Sequence, residues 1–189
     1  MRFFHRQTSD PSRLGWLWKT PGFASRVGHS LLLMLTQISE TAAIICFIVT
    51  VTAVAVCDLR EFRIPDLMLL PGATATFLLF TLSNTSDFTS LNRAMFCASI
   101  SLLAYLLLYL SNPGQLGFGD VKLAGLIGLV TGWFGVGLAA LATLAAFLAA
   151  GTAVIVLIML RSMRLQSHFA LGPWLALGGF AAIASQLAK

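Results

Sequence analysis

The chain has 189 residues and a formal net charge of +5; 58% of it is hydrophobic and 10% charged, against about 45–50% and about 25% in ordinary soluble domains. That composition excludes a soluble globular domain. The basic residues sit at the ends of apolar runs and in one N-terminal stretch, not in a stripe, so the expected partner is membrane lipid and not nucleic acid.

Residues 1–33 read as a basic N-terminal tail, distinct from a membrane domain over 34–189. The tail has no hydrophobic stretch followed by a small-residue cleavage site and so is not a signal peptide. Trp16 and Trp18, between basic residues, suit a membrane surface. Met34 stands just before the first long apolar run and offers an alternative start.

Six spans follow, at about 37–57, 66–82, 94–110, 120–134, 136–160 and 171–188. Each satisfies its own backbone hydrogen bonds as a helix in lipid, so the expected class is an all-α polytopic membrane protein. The division between the fourth and fifth spans rests on Thr131-Gly132-Trp133-Phe134-Gly135-Val136-Gly137. A single helix through the charge-free run Leu123–Leu160 would be about twice the hydrocarbon thickness. Gly125, Gly128 and Gly132 place small residues on one side of the fourth span, a pattern that lets another helix approach closely. The connections between spans are too short to hold a soluble domain.

With so few charges, each carboxylate can be weighed. Asp10 and Asp87 lie in polar segments, and Glu40, near the start of the first span, is expected to snorkel to the interface. Asp58 closes the first apolar run and Asp120 opens the fourth span, so both fall where a helix meets the headgroup region. Taken singly, Asp120 after Gly117-Phe118-Gly119 reads as a helix N-cap, and Asp58 as a boundary marker. Taken together they suggest more. Two carboxylates within a few Å cannot both ionise cheaply, and a shared proton leaves one as general base and the other as general acid. Sixty-two positions separate them, but the second and third spans form a hairpin that returns the chain to the face where Asp58 left it. A different class of reading is a membrane transporter or assembly subunit whose Asp pair relays protons or ions. Cys46, Cys57 and Cys97 form no CxxC pair and no Cys/His set, so neither metal, disulfide nor other cofactor is expected.

The segment Cys57-Asp58-Leu59-Arg60-Glu61-Phe62-Arg63-Ile64-Pro65-Asp66-Leu67 resembles the D-x-R-x-x-x-I-P-[ND] signature of type IV prepilin peptidases. Gly117-Phe118-Gly119-Asp120-Val121-Lys122 is similar to their G-x-G-D-V-K motif, and Phe169-Ala170-Leu171-Gly172-Pro173-Trp174-Leu175-Ala176-Leu177-Gly178 to the F-x-x-G-P-F-L-A-L-G segment of their last helix. The resemblance covers roughly residues 40–188, with the motifs in the family's order.

It implies an intramembrane aspartic endopeptidase that removes the leader from type IV or Flp-type prepilins or pseudopilins. It also implies a bacterial inner-membrane location with the catalytic loops in the cytoplasm. By motif position Asp58 and Asp120 are the catalytic pair. Gly117, Gly119, Asp66 and Lys122 are candidates for positioning substrate, the glycines because they remove bulk and permit positive φ. Arg60 and Arg63 read as positive-inside anchors. Larger members carry an insert with paired CxxC motifs and also methylate the new N-terminus. With no CxxC, this sequence is more similar to the short Tad/Flp-type peptidases of the CpaA/TadV kind, for which methylation is not expected.

Charge counting supports that orientation for the body of the chain. Arg60, Arg63, Lys122, Arg161 and Arg164 share the aspartate face, against Arg93 and Lys189 opposite. The tail's Arg2, Arg6, Arg13, Lys19 and Arg26 fall on the opposite face and pull the other way; the body is given the greater weight.

Overall fold

The computed structural model of the chain describes residues 23–61, 66–84, 88–111, 116–159 and 171–188. Among these residues there are six helices and no strand: α1 Phe23–Glu61, α2 Asp66–Ser83, α3 Thr89–Ser111, α4 Phe118–Phe134, α5 Val136–Met159 and α6 Gly172–Leu187. Helices α1, α2 and α3 are long and apolar enough to cross a bilayer, and α5 adds a shorter apolar stretch over Val136–Thr152. The chain is an all-α integral membrane protein.

Its arrangement follows from which helices are apolar all round. A helix with no polar face belongs inside a bundle, and α4 is buried at every position from Asp120 to Trp133 except Lys122. It contacts all five other helices, while α1 packs on α2 and α6, and α5 on α6. Leu, Ile and Phe exposed on α1, α2, α3 and α5 face the space that lipid fills. Since lipid tails are as apolar as leucine, burial alone does not hold such helices together, and close backbone approach must. The glycines of α4 serve this purpose against α3. An added Cβ on Gly128 would lie 2.6 Å from Ser101 Oγ and 2.8 Å from the Cys97 carbonyl, and one on Gly132 would lie 2.5 Å from Cys97 Cβ. Gly178 performs the same task between α6 and α5, 2.5 Å from the Ala142 carbonyl oxygen by the same measure.

Two boundaries differ from the sequence expectation. Helix α1 starts at Phe23, well before residue 37, because nothing between Pro21-Gly22 and the apolar run breaks a helix. Its 39 residues span about 58 Å, nearly twice the hydrocarbon core of about 30 Å. Packing starts later: residues 27–35 are exposed, and the first fully buried side chain is Ala43. Helix α3 also starts early, at Thr89. The break between α4 and α5 falls at Gly135, in extended backbone, within the heptapeptide expected to turn.

Far from the aspartates, one polar cluster joins four helices. Arg93 of α3 donates from Nε to the Gly132 carbonyl at 2.9 Å and from Nη2 to the Trp133 carbonyl. It thereby satisfies oxygens that the end of α4 leaves without a helical partner and sets a cation at the negative end of the helix dipole. Trp133 stacks on Phe80 of α2, with centroids 4.5 Å apart, and donates its indole N–H to Glu40 Oε1 of α1 at 2.9 Å. The expectation that Glu40 simply snorkels is therefore corrected: it is partly buried and accepts the bond that a buried indole requires.

Residues 1–22, Arg63, Asp87, Arg161 and Arg164, on which the readings of a basic tail, an interfacial anchor, a polar-segment charge and the charge balance rest, lie outside the described residues.

Candidate functional site

Asp58 lies in the last turn of α1 and Asp120 in the first turn of α4, and the fold brings these two helix ends together. Both carboxylates are buried, with residue exposures of 6% and 7%, and Asp120 lies within electrostatic reach of Asp58. Val54, one turn before Asp58, and Val121 and Leu123, beside Asp120, are fully buried around them. A carboxylate in such surroundings persists only if hydrogen-bonded or able to share a proton.

Each has one main-chain donor. The Gly117 N–H donates to Asp120 Oδ2 at 3.2 Å, and the Gly172 N–H, at the start of α6, donates to Asp58 Oδ2 at 3.1 Å. Asp120 Oδ1 is buried with no hydrogen-bond partner. The N-cap role expected of Asp120 is corrected: Gly117 is the N-cap, and Asp120, three residues on, reaches back to the cap's N–H.

Of the candidate positioning residues, Gly117 abuts the pair directly, since a Cβ there would sit 3.2 Å from Asp120 Oδ2. Its φ of −79° and ψ of 142° are ordinary extended values, and Gly119 lies in the first turn of α4. The positive φ that glycine permits is thus not used by Gly117, nor asked of Gly119 by the helical first turn. Lys122 and Asp66 form an ion pair, Nζ to Oδ2 2.7 Å, with side-chain exposures of 24% and 57%. The Lys122 ammonium also lies 4.9 Å from the centroid of the Phe118 ring, which meets Tyr109 of α3 edge-on at 5.7 Å. Arg60 is exposed.

Two neighbours had no assigned role in the sequence. Tyr105 of α3 is 2% exposed, stacks on Phe147 of α5 and lies within electrostatic reach of Asp120. Gly172 belongs to the Gly-Pro step of the last motif, and its proximity to Asp58 depends on α6 packing against α1, which no local pattern reveals. Among the described residues no three His, Cys, Asp or Glu side chains gather as a metal site would require.

The fold and this site define a polytopic membrane protein with a paired-aspartate centre at one end of its bundle. Residues 44–160 match the type IV leader peptidase family, and the chain belongs to that family. It is 35% identical over 132 residues to the prepilin leader peptidase/N-methyltransferase of Pectobacterium carotovorum subsp. carotovorum. That match covers 66% of this chain, which spans 44% of the relative's length. No solved structure matches.

Proposed function

We propose that this chain is an intramembrane aspartic endopeptidase that cleaves the leader from type IV or Flp-type prepilins or pseudopilins. It acts at the cytoplasmic face of the bacterial inner membrane. The observation that carries the reading is the meeting of Asp58 and Asp120, from helix ends 62 positions apart in sequence, as one buried, electrostatically interacting pair.

The chemistry follows from that pair. One ionised carboxylate takes a proton from a water molecule as the water oxygen adds to the scissile carbonyl; the protonated partner hydrogen-bonds the developing oxyanion. Collapse of the tetrahedral intermediate breaks the C–N bond, and the proton taken from water is delivered to the leaving nitrogen. Asp120 Oδ1, buried and unpartnered, is available to such a water. Gly117 and Gly119 keep bulk away from the carboxylate, and the Lys122–Asp66 pair fixes the entry to α2 against the start of α4, where a substrate segment would lie. A proton or ion relay would be better served by carboxylates at mid-bilayer; these two close α1 and open α4.

The direct test is co-reconstitution of the purified chain with a prepilin carrying a basic leader and a hydrophobic helix, followed by mass spectrometry of the products. Release of an intact leader and a pilin with a free α-amino group is expected. An uncleaved precursor, with the same chain shown to be folded and inserted, would overturn the reading.

A further inference from the structure

Gly172 stands at the point where the third motif touches the reaction centre. A helix begins with N–H groups that have no partner within it. In α6 the number is reduced: Pro173 has no N–H, and the N–H groups of Trp174 and Leu175 both return to the Leu171 carbonyl. The Gly172 N–H points out of the helix, and its acceptor is Asp58 Oδ2 at 3.1 Å. The approach is tight as well as polar. A Cβ on residue 172 would lie 2.7 Å from that oxygen, 3.2 Å from Asp58 Cγ and 3.4 Å from Asp58 Cβ, so any side chain there must push the carboxylate aside. Asp120 is held in the same manner, through Oδ2, by the Gly117 N–H.

We propose that Gly172 is a positioning residue for peptide hydrolysis: its N–H and its missing side chain together hold the Asp58 carboxylate in the orientation that faces Asp120. This rests on the peptidase reading above. The α6 N-terminus is then the third wall of the site, beside the end of α1 and the start of α4. It contributes no reacting atom. Its effect is on geometry, and a misplacement of about 1 Å in a reacting group is enough to cost about 10²-fold in rate.

Two measurements on the full chain test this. The first labels leucine carbonyls with ¹³C and glycine with ¹⁵N in detergent-solubilised protein, which restricts the spectrum to the Leu–Gly steps at Gly15, Gly117, Gly172 and Gly178. Replacing Asp58→Ala is expected to shift the Gly172 amide proton upfield while Gly178 stays in place. Replacing Asp120→Ala is expected to do the same to Gly117. A Gly172 signal indifferent to Asp58→Ala overturns the proposal, and this arm needs no variant at residue 172. The second compares kinetics: Gly172→Ala is expected to lower kcat by about 10²-fold with KM and melting temperature unchanged. Wild-type kcat, or a rise in KM alone, overturns it. Asp58→Asn is run in parallel. Its inactivity beside a fully active Gly172→Ala defeats the positioning role alone, whereas a fully active Asp58→Asn defeats the peptidase reading itself.

Discussion

Lys122, one turn into α4, reaches Asp66, the first residue of α2, with 2.7 Å between Nζ and Oδ2. The bond ties the start of the helix carrying Asp120 to the helix that follows Asp58 across a short connection. At 24% and 57% side-chain exposure the pair is partly screened, and a contribution of about 0.5–1 kcal/mol is the appropriate scale. Lys122→Met and Asp66→Asn should each slow cleavage by about two- to five-fold, the rate equivalent of that energy. The double variant should be no slower than the worse single one. Measuring kcat/KM for the four forms checks this, and strictly multiplicative losses would mean that the two side chains act separately.

Removing either member of the pair is far more severe. Asp58→Asn and Asp120→Asn keep the size of the side chain but remove a proton-transfer group, typically worth about 10²–10⁴-fold and more when two groups act as a unit. Both variants should insert and melt as wild type yet leave a prepilin uncut in a gel-shift assay. Asp87→Asn, in the polar connection between α2 and α3, should cut normally. A comparable loss there would show that the wrong carboxylates had been chosen.

Much of this fold is legible in the sequence because charges, prolines and glycines punctuate it. Asp66 opens α2 at the edge of an apolar run, while inside charge-free runs Gly135 separates α4 from α5 and Gly172-Pro173 opens α6. Parity puts Asp58 and Asp120 on the same face, since a two-span hairpin returns the chain to it, but spacing alone does not show that they meet there. What could not be read depends on which helices touch. Glu40 meets Trp133 only because α4 lies within reach of α1, and Gly172 meets Asp58 only because α6 packs on α1. The early start of α1 was hidden for a different reason. Hydropathy marks where lipid begins, whereas a helix continues until something breaks it.

The Arg93 cluster predicts a separation of stability from chemistry. Arg93 and Trp133 lie near the C-terminal end of α4, about 20 Å along the helix from Asp120. Losing charged hydrogen bonds to two helix-end carbonyls should cost roughly 2–3 kcal/mol. Arg93→Ala should therefore lower the melting temperature in detergent, while kcat measured well below that temperature stays close to wild type. A normal melting temperature combined with lost activity would place Arg93 in the reaction and not in the scaffold.

Orientation can be read by thiol labelling after Cys46, Cys57 and Cys97 are replaced by alanine. Arg60→Cys, exposed at the aspartate end of α1, should react with an impermeant maleimide only when the cytoplasmic side is open. Thr89→Cys, at the start of α3, should react only from outside. The reverse pattern would mean that the basic residues of the N-terminal tail set the topology, and the cytoplasmic site would be lost.

Gly117 separates steric crowding of the site from strain in the backbone. Its φ of −79° and ψ of 142° suit any L-residue, so Gly117→Ala incurs no penalty from a left-handed conformation. The new Cβ would instead stand 3.2 Å from Asp120 Oδ2, closer than ordinary van der Waals contact, and the carboxylate must move by a few tenths of an ångström. At 3.2 Å the overlap is slighter than the 2.7 Å at residue 172, so the shift should be smaller than the one expected there. We expect Gly117→Ala to fold normally and to lose roughly ten-fold in kcat, intermediate between no effect and the about 10²-fold cost of a 1 Å displacement. Stopped-time cleavage assays beside a thermal melt check both halves. A destabilised but fully active variant would show that this glycine serves the turn into α4 and leaves the aspartates undisturbed.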